Sequence, residues 1–164
     1  MGFETINNEK IFNLIAEIKT VQNPAAKYIE KDGMKRKNYV LSGENGNEYT
    51  LYLRQNTRIG MYDDFSCGLS WLMSSGEVLT LVRYNGPSHQ HRNHLEKEIL
   101  PLGCHIHSAR EEYILAGRKP EGFAQLTDKY ETLEGALHTL TNDCNIVGIK
   151  TQPDPPKQNT LFSL

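Results

Sequence analysis

Hydrophobic residues recur at helical spacing near the start of the chain: Ile11, Phe12, Leu14, Ile15, Ile18 and Val21. The spacing predicts an amphipathic helix, with Asn7 or Asn8 as N-cap and Asn23-Pro24 as its end. The charged stretch Lys27 to Lys37, with Gly33 inside it, reads as a connector. The period then drops to two. Tyr39 and Leu41, then Tyr49, Leu51 and Leu53, alternate with polar residues on either side of Glu44-Asn45-Gly46-Asn47, a hairpin signal. Cys67 to Met73 predicts another strand, Ser74-Ser75-Gly76 a turn, and Glu77 to Tyr84 the strongest strand of all. Simple alternation would put Leu79, Leu81 and Arg83 on one face and Val78, Val82 and Tyr84 on the other.

Asn85 to Gly103 is polar, holds two prolines and predicts a long loop. Inside a compact domain such loops are usually functional or disordered. Cys104 to Ser108 predicts a short strand. Leu133, Ala136, Leu137 and Leu140 predict a second helix behind Thr132 as N-cap. After Gly148 the chain turns Pro-rich. The expected architecture is an α+β domain over residues 1–148. It holds an antiparallel sheet of about five or six strands with an N-terminal and a C-terminal helix on one face. Residues 149–164 are expected to form a flexible, disordered tail outside it.

Composition narrows this little. At 164 residues the chain suits one domain with a real core. Its net charge of -2 supplies no global basic field, so any nucleic-acid contact must come from a local patch. No apolar run approaches a membrane span. Cys67, Cys104 and Cys144 are odd in number and widely spaced, which argues against a disulfide framework and for a reducing cytoplasm.

The chemistry concentrates elsewhere. Five of the six histidines, His89, His91, His94, His105 and His107, fall in one short window. On a strand His105 and His107 project to the same side. His89, in the loop before them, can fold back over the pair, with Arg83, Tyr84, Arg110, Glu111 and Tyr113 flanking the region. His91 and His94 read as solvated, and His138 as a surface residue. Three chemistries fit. One is metal-free phosphodiester cleavage, in which histidines move protons and arginine steadies the phosphate. Another is a metal site of His89, His105 and His107 with Glu111 or Glu98. The third is plain anion or nucleic-acid binding. The metal-free reading is preferred, with a divalent metal as an option. Trp71 and most tyrosines read as packing, while Tyr52 and Tyr84 stay open as stacking surfaces.

Arg83, Asn85-Gly86-Pro87, His89, Asn93, His105-Ile106-His107, Arg110-Glu111 and Tyr113 together resemble the motif of an uncharacterised bacterial domain family. Ser108-Ala109 departs from that family's spacing by one residue. The family is similar to proteins of mobile-element, phage and defence neighbourhoods. The resemblance implies a site and brings no reaction with it. The final residues add a second resemblance: Gln158, Thr160, Leu161 and Phe162 are similar to short peptides that dock on DNA sliding clamps. Such a tail would order on contact, with Leu161 and Phe162 in an apolar pocket. The expected protein is a small cytoplasmic, nucleic-acid-directed, nuclease-like effector. His89, His105 and His107 would do acid–base work, Arg83 and Arg110 would hold phosphate, and Glu111 and Tyr113 would lie in the same site. The alternative is a non-catalytic accessory or inhibitor of a phage, defence or replication system that binds a protein partner.

Overall fold

Asn7 caps helix α1 (Asn8–Ala16), its side chain accepting from the Lys10 N–H. The structure, a computed structural model, describes residues 2, 3 and 5–156. α1 stops well short of Asn23-Pro24 because Val21 belongs to strand β1 (Lys19–Val21), which pairs on both sides. The carbonyls left at the helix end are met by Lys19, whose buried ammonium donates to Ile15 O, Glu17 O and Cys144 O at 2.8, 2.7 and 2.9 Å.

The expected connector contains a hairpin. β2 (Ile29–Lys31) turns into β3 (Met34–Gly43) through Asp32-Gly33, whose φ angles of 54° and 74° suit a tight turn between twisted strands. β4 (Glu48–Asn56), β5 (Phe65–Leu72) and β6 (Val78–Asn85) continue the meander. The predicted loop then holds its own small hairpin, β7 (His91–Asn93) with β8 (Glu98–Leu100). β9 (His105–Ser108), the short helix α2 (Glu111–Leu115) and β10 (Phe123–Leu126) follow. Thr132 caps α3 (Leu133–Asp143), its hydroxyl accepting from Gly135 N–H, and β11 (Ile146–Val147) ends the series.

The fold is α+β. Its main sheet has nine strands in the order β10-β9-β6-β5-β4-β3-β1-β11, with β2 also on β3. Pairing is antiparallel except between β1 and β11. The strands beyond the five or six expected are segments of two to four residues, too short to carry an alternation of their own. Both longer helices serve one core. Ile11 and Leu14 of α1 and Leu133, Ala136 and Leu140 of α3 bury with Tyr49, Leu51, Leu53, Cys67 and Leu69. A bulge between Leu69 and Ser70 breaks the simple alternation of β6. Leu79, Leu81, Val82 and Tyr84 all join the core, and Arg83 does not share a face with the two leucines as expected.

The opposite sheet face is polar. Two aligned rows cross it: Asn38, Tyr52, Gly68, Arg83 and His107, and beside them Arg36, Arg54, Ser66, Asn85 and His105. The Pro-rich segment expected to leave the fold at 149 instead stays with α3 as far as 154. The Asp154 carboxylate accepts from Thr132 Oγ1 at 2.6 Å and from the N–H groups of Glu131 and Thr132, where the helix dipole favours an anion.

Candidate functional site: a histidine pocket on the polar sheet face

Strand alternation turns Ile106 toward the core and leaves His105 and His107 side by side on the polar face, opposite Asn85 and Arg83 of β6. The β7–β8 hairpin closes over them. What holds it there is Asn93, fully buried, which pairs with the edge strand as a backbone would. Its Oδ1 accepts from Ala124 N–H and its Nδ2 donates to Ala124 O, both at 2.8 Å, while Nδ2 also reaches Glu98 at 3.0 Å. Two residues earlier the same strand places His91 over the pair. Its ring lies 4.6 Å from that of His107 and 5.9 Å from that of His105, with the latter two 5.1 Å apart.

Each of these rings is oriented by a main-chain carbonyl. Because a carbonyl only accepts, the facing nitrogen must carry the proton. His107 Nδ1–H donates to Glu121 O at 2.9 Å and His105 Nδ1–H to Gly103 O at 3.0 Å; the His107 Nε2 lone pair is left available, while His105 Nε2 accepts from Asn85 Nδ2 at 3.5 Å. His91 is reversed, with Nε2–H on Gly122 O at 2.8 Å and Nδ1 left over. Burial, then the Arg83 guanidinium and the neighbouring rings, push the His107 pKa down to about 3. His105 is lowered as well, first by burial. Both rings are therefore neutral acceptors at neutral pH.

Charge surrounds this neutral centre. Arg83 lies 3.4 Å from the buried Glu121 carboxylate, which Lys119 approaches at 3.7 Å. Arg118, Tyr113, Gln90 and His94 also line the cavity, of about 410 Å³, within the range of small-ligand sites. Asn85 Oδ1 is buried there without a hydrogen-bond partner. A buried acceptor left open at a pocket wall calls for a donor on the ligand.

Of the residues expected at the site, Arg83, His105, His107 and Tyr113 converge on the cavity. Tyr113 does so as a brace: its hydroxyl donates to Glu96 at 2.6 Å and accepts from Leu95 N–H, fixing the β7–β8 turn. His89 stands at the mouth, 77% exposed and 4.0 Å from Asp64, and does not fold onto the pair as expected. His91, read as solvated, takes that place. Arg110 and Glu111 are not brought in. Arg110 stacks on Phe123 at 3.6 Å, and Glu111 exchanges hydrogen bonds with Asn8 to join α2 to α1. Tyr84 belongs to the core, stacked on Tyr130 and bonded to Asp143, whereas Tyr52 lies on the polar face beside Arg83. Sequence reasoning missed Lys119 and Glu121, which no spacing links to the histidines. Asn93 did carry a signal, as part of the family-like motif.

Among the described residues no group of three His, Cys, Asp or Glu side chains is set to hold a metal ion. Gln158, Thr160, Leu161 and Phe162, read as a clamp-docking peptide, lie outside the described residues. The chain matches no family model, no curated protein and no solved structure.

Proposed function

We propose that the histidine pocket is a phosphate-ester site and that the protein cleaves nucleic acid through it, as a small nuclease-like effector. One observation carries the reading: two carbonyl-locked, neutral imidazoles line a cavity flanked by Arg83, Arg118 and Lys119, and the Nε2 lone pair of His107 has no hydrogen-bond partner among the described residues. The cations suit a phosphate, the His107 lone pair suits proton removal from an attacking hydroxyl, and the open Asn85 acceptor suits a sugar hydroxyl or base amine.

Empty, His107 is too weak a base. A bound phosphate offsets the Arg83 field that depresses it and raises its proton affinity, so substrate primes its own base. His107 Nε2 then takes the proton of the attacking hydroxyl, whose oxygen bonds to phosphorus as the leaving oxygen departs. His89, at the pocket mouth beside Asp64, passes a proton to that oxygen. The cytoplasmic and defence-related setting stays part of this proposal.

The test is cleavage of a panel of single- and double-stranded RNA and DNA, with EDTA or with added divalent ions. His107→Gln should keep the native melting profile and lose cleavage by about 10²-fold or more. Cleavage that survives the substitution, or a wild-type protein that cleaves nothing under any condition, refutes the reading. Exposed Leu95, Ile99, Leu102 and Leu126 around the hairpin and edge strand favour the second reading, a protein-binding accessory or inhibitor. That reading predicts a stoichiometric partner whose capture survives His107→Gln and fails when Ile99 and Leu102 become Asp.

A further inference from the structure

Beyond the pocket, the polar sheet face offers one continuous path that the proposed chemistry does not use. The two rows reach from His107 and His105 on β9 to Asn38 and Arg36 on β3, four strand spacings away, or about 19 Å. α1 and α3 pack on the other side, so neither covers it. The positions are cationic, aromatic, very small or, at Asn38 and Asn85, uncharged amides. Arg36 is exposed, with no carboxylate at ion-pair distance among the described residues. Arg54 holds Asp64 at 2.9 Å and Arg83 holds Glu121, so each cation stands on a partner that fixes it in place.

Between them lies Gly68, over which the Tyr52 ring leans so closely that an added Cβ would stand 2.5 Å from it. The ring fills the space above Gly68 and lies half-buried beside the arginines. Asp64 and Glu121 border the rows already paired, against Arg36, Arg54 and Arg83 with Arg118 and Lys119 at the pocket end.

We infer that this face is a track for single-stranded nucleic acid leading into the histidine pocket. The inference rests on the phosphate-ester reading of that pocket and names its substrate class. Phosphates lie along Arg83, Arg54 and Arg36, and a base rests against Tyr52. A strand is favoured over a duplex on two grounds. The pocket at the end of the track has the volume for about one nucleotide and cannot admit a paired helix. The β7–β8 ribbon on this face is also folded down over the pocket, fastened by Asn93 to Ala124, and does not stand out to enter a groove.

Fluorescence anisotropy with labelled oligonucleotides of about 12 residues, single-stranded and duplex, tests it at about 50 and 200 mM salt. Arg36→Glu should weaken single-strand binding about tenfold or more and flatten the salt dependence by about 0.7 in log–log slope per lost phosphate contact. Lys10→Glu, the same charge change on α1 across the sheet, should stay within about twofold of wild type, and Tyr52→Ala should weaken binding at both salt levels. Equal loss in the Arg36→Glu and Lys10→Glu proteins, duplex bound as tightly as single strand, or no oligonucleotide binding overturns the track. The two proposals fail separately. Binding that depends on Arg36 without any cleavage keeps the track and removes the chemistry. Cleavage of long strands with a KM unaffected by Arg36→Glu keeps the chemistry and removes the track.

Discussion

At the residue scale the deciding fact is which ring nitrogen of His107 carries the proton. The Glu121 carbonyl settles it at Nδ1, and burial beside Arg83 keeps the ring neutral. This has a consequence for stability. Above the ordinary imidazole value of 6.5 the ring is neutral whether the chain is folded or not, and it adds no pH dependence. Below 6.5 the unfolded chain takes up a proton that the folded chain refuses down to about 3. Stability therefore falls as pH drops through that window, by up to about 1.4 kcal/mol per pH unit from this group, with His105 adding in the same direction. Melting temperatures recorded from pH 7 to pH 5 should fall for the wild type and fall less for His107→Gln. An equal slope in the two proteins would contradict the burial of a neutral ring. Inorganic phosphate, if it binds beside Arg83, should reduce the wild-type slope by raising the folded pKa.

At the scale of elements, the pocket exists because a short hairpin is fastened over a strand pair. The strand alternation of His105 and His107 was legible in the sequence, and so was their common face. The hairpin was not. β7 and β8 are three residues each and lie in a stretch whose polarity reads as loop, and their position depends on Asn93 docking on Ala124, a contact 31 residues away along the chain. For the same reason His91 looked solvated and His89 looked like a site residue. Local pattern reports which way a strand residue points, but not what a distant hairpin will lay over it. Asn93→Ala removes side-chain bonds to Ala124 and leaves both of its buried backbone groups unpaired. It should cost about 2–4 kcal/mol. Hydrogen exchange over residues 91–100 should rise by at least tenfold while β4 and β5 stay protected, and cleavage should drop with it. Unchanged exchange in the hairpin would show that Asn93 does not hold it.

At the scale of the whole molecule, the two helices and the far end of the sheet are tied together by one buried cation. Lys19 carries an ammonium whose three donors meet the end of α1 and the start of the link into β11. Burial lowers its pKa to about 8, still charged at neutral pH. Nothing in the pattern marked it, because a lysine between Ile18 and Val21 on an expected amphipathic helix reads as surface. The α+β class was legible, since it rests on long periodic runs such as Leu133 to Leu140. The closing strand β11, two residues long, was not. Lys19→Met should keep the packing volume and strand three carbonyls, costing about 3 kcal/mol and lowering the melting temperature by about 6–12 °C. A shift under 2 °C, less than about 1 kcal/mol at this size, would show that water reaches those carbonyls.

The central claim is that His105 and His107 are neutral Nδ1–H rings whose Nε2 atoms face a bound phosphate ester. Long-range proton–nitrogen NMR of the imidazoles, recorded while a mononucleotide is added, tests it most directly. The account predicts Nδ1–H tautomers for both rings in the free protein, and Nε2 shifts at His105 and His107, with His91 perturbed alongside, that saturate as the nucleotide binds. Nε2–H tautomers, or a titration that moves only the outlying ring His138, would contradict it.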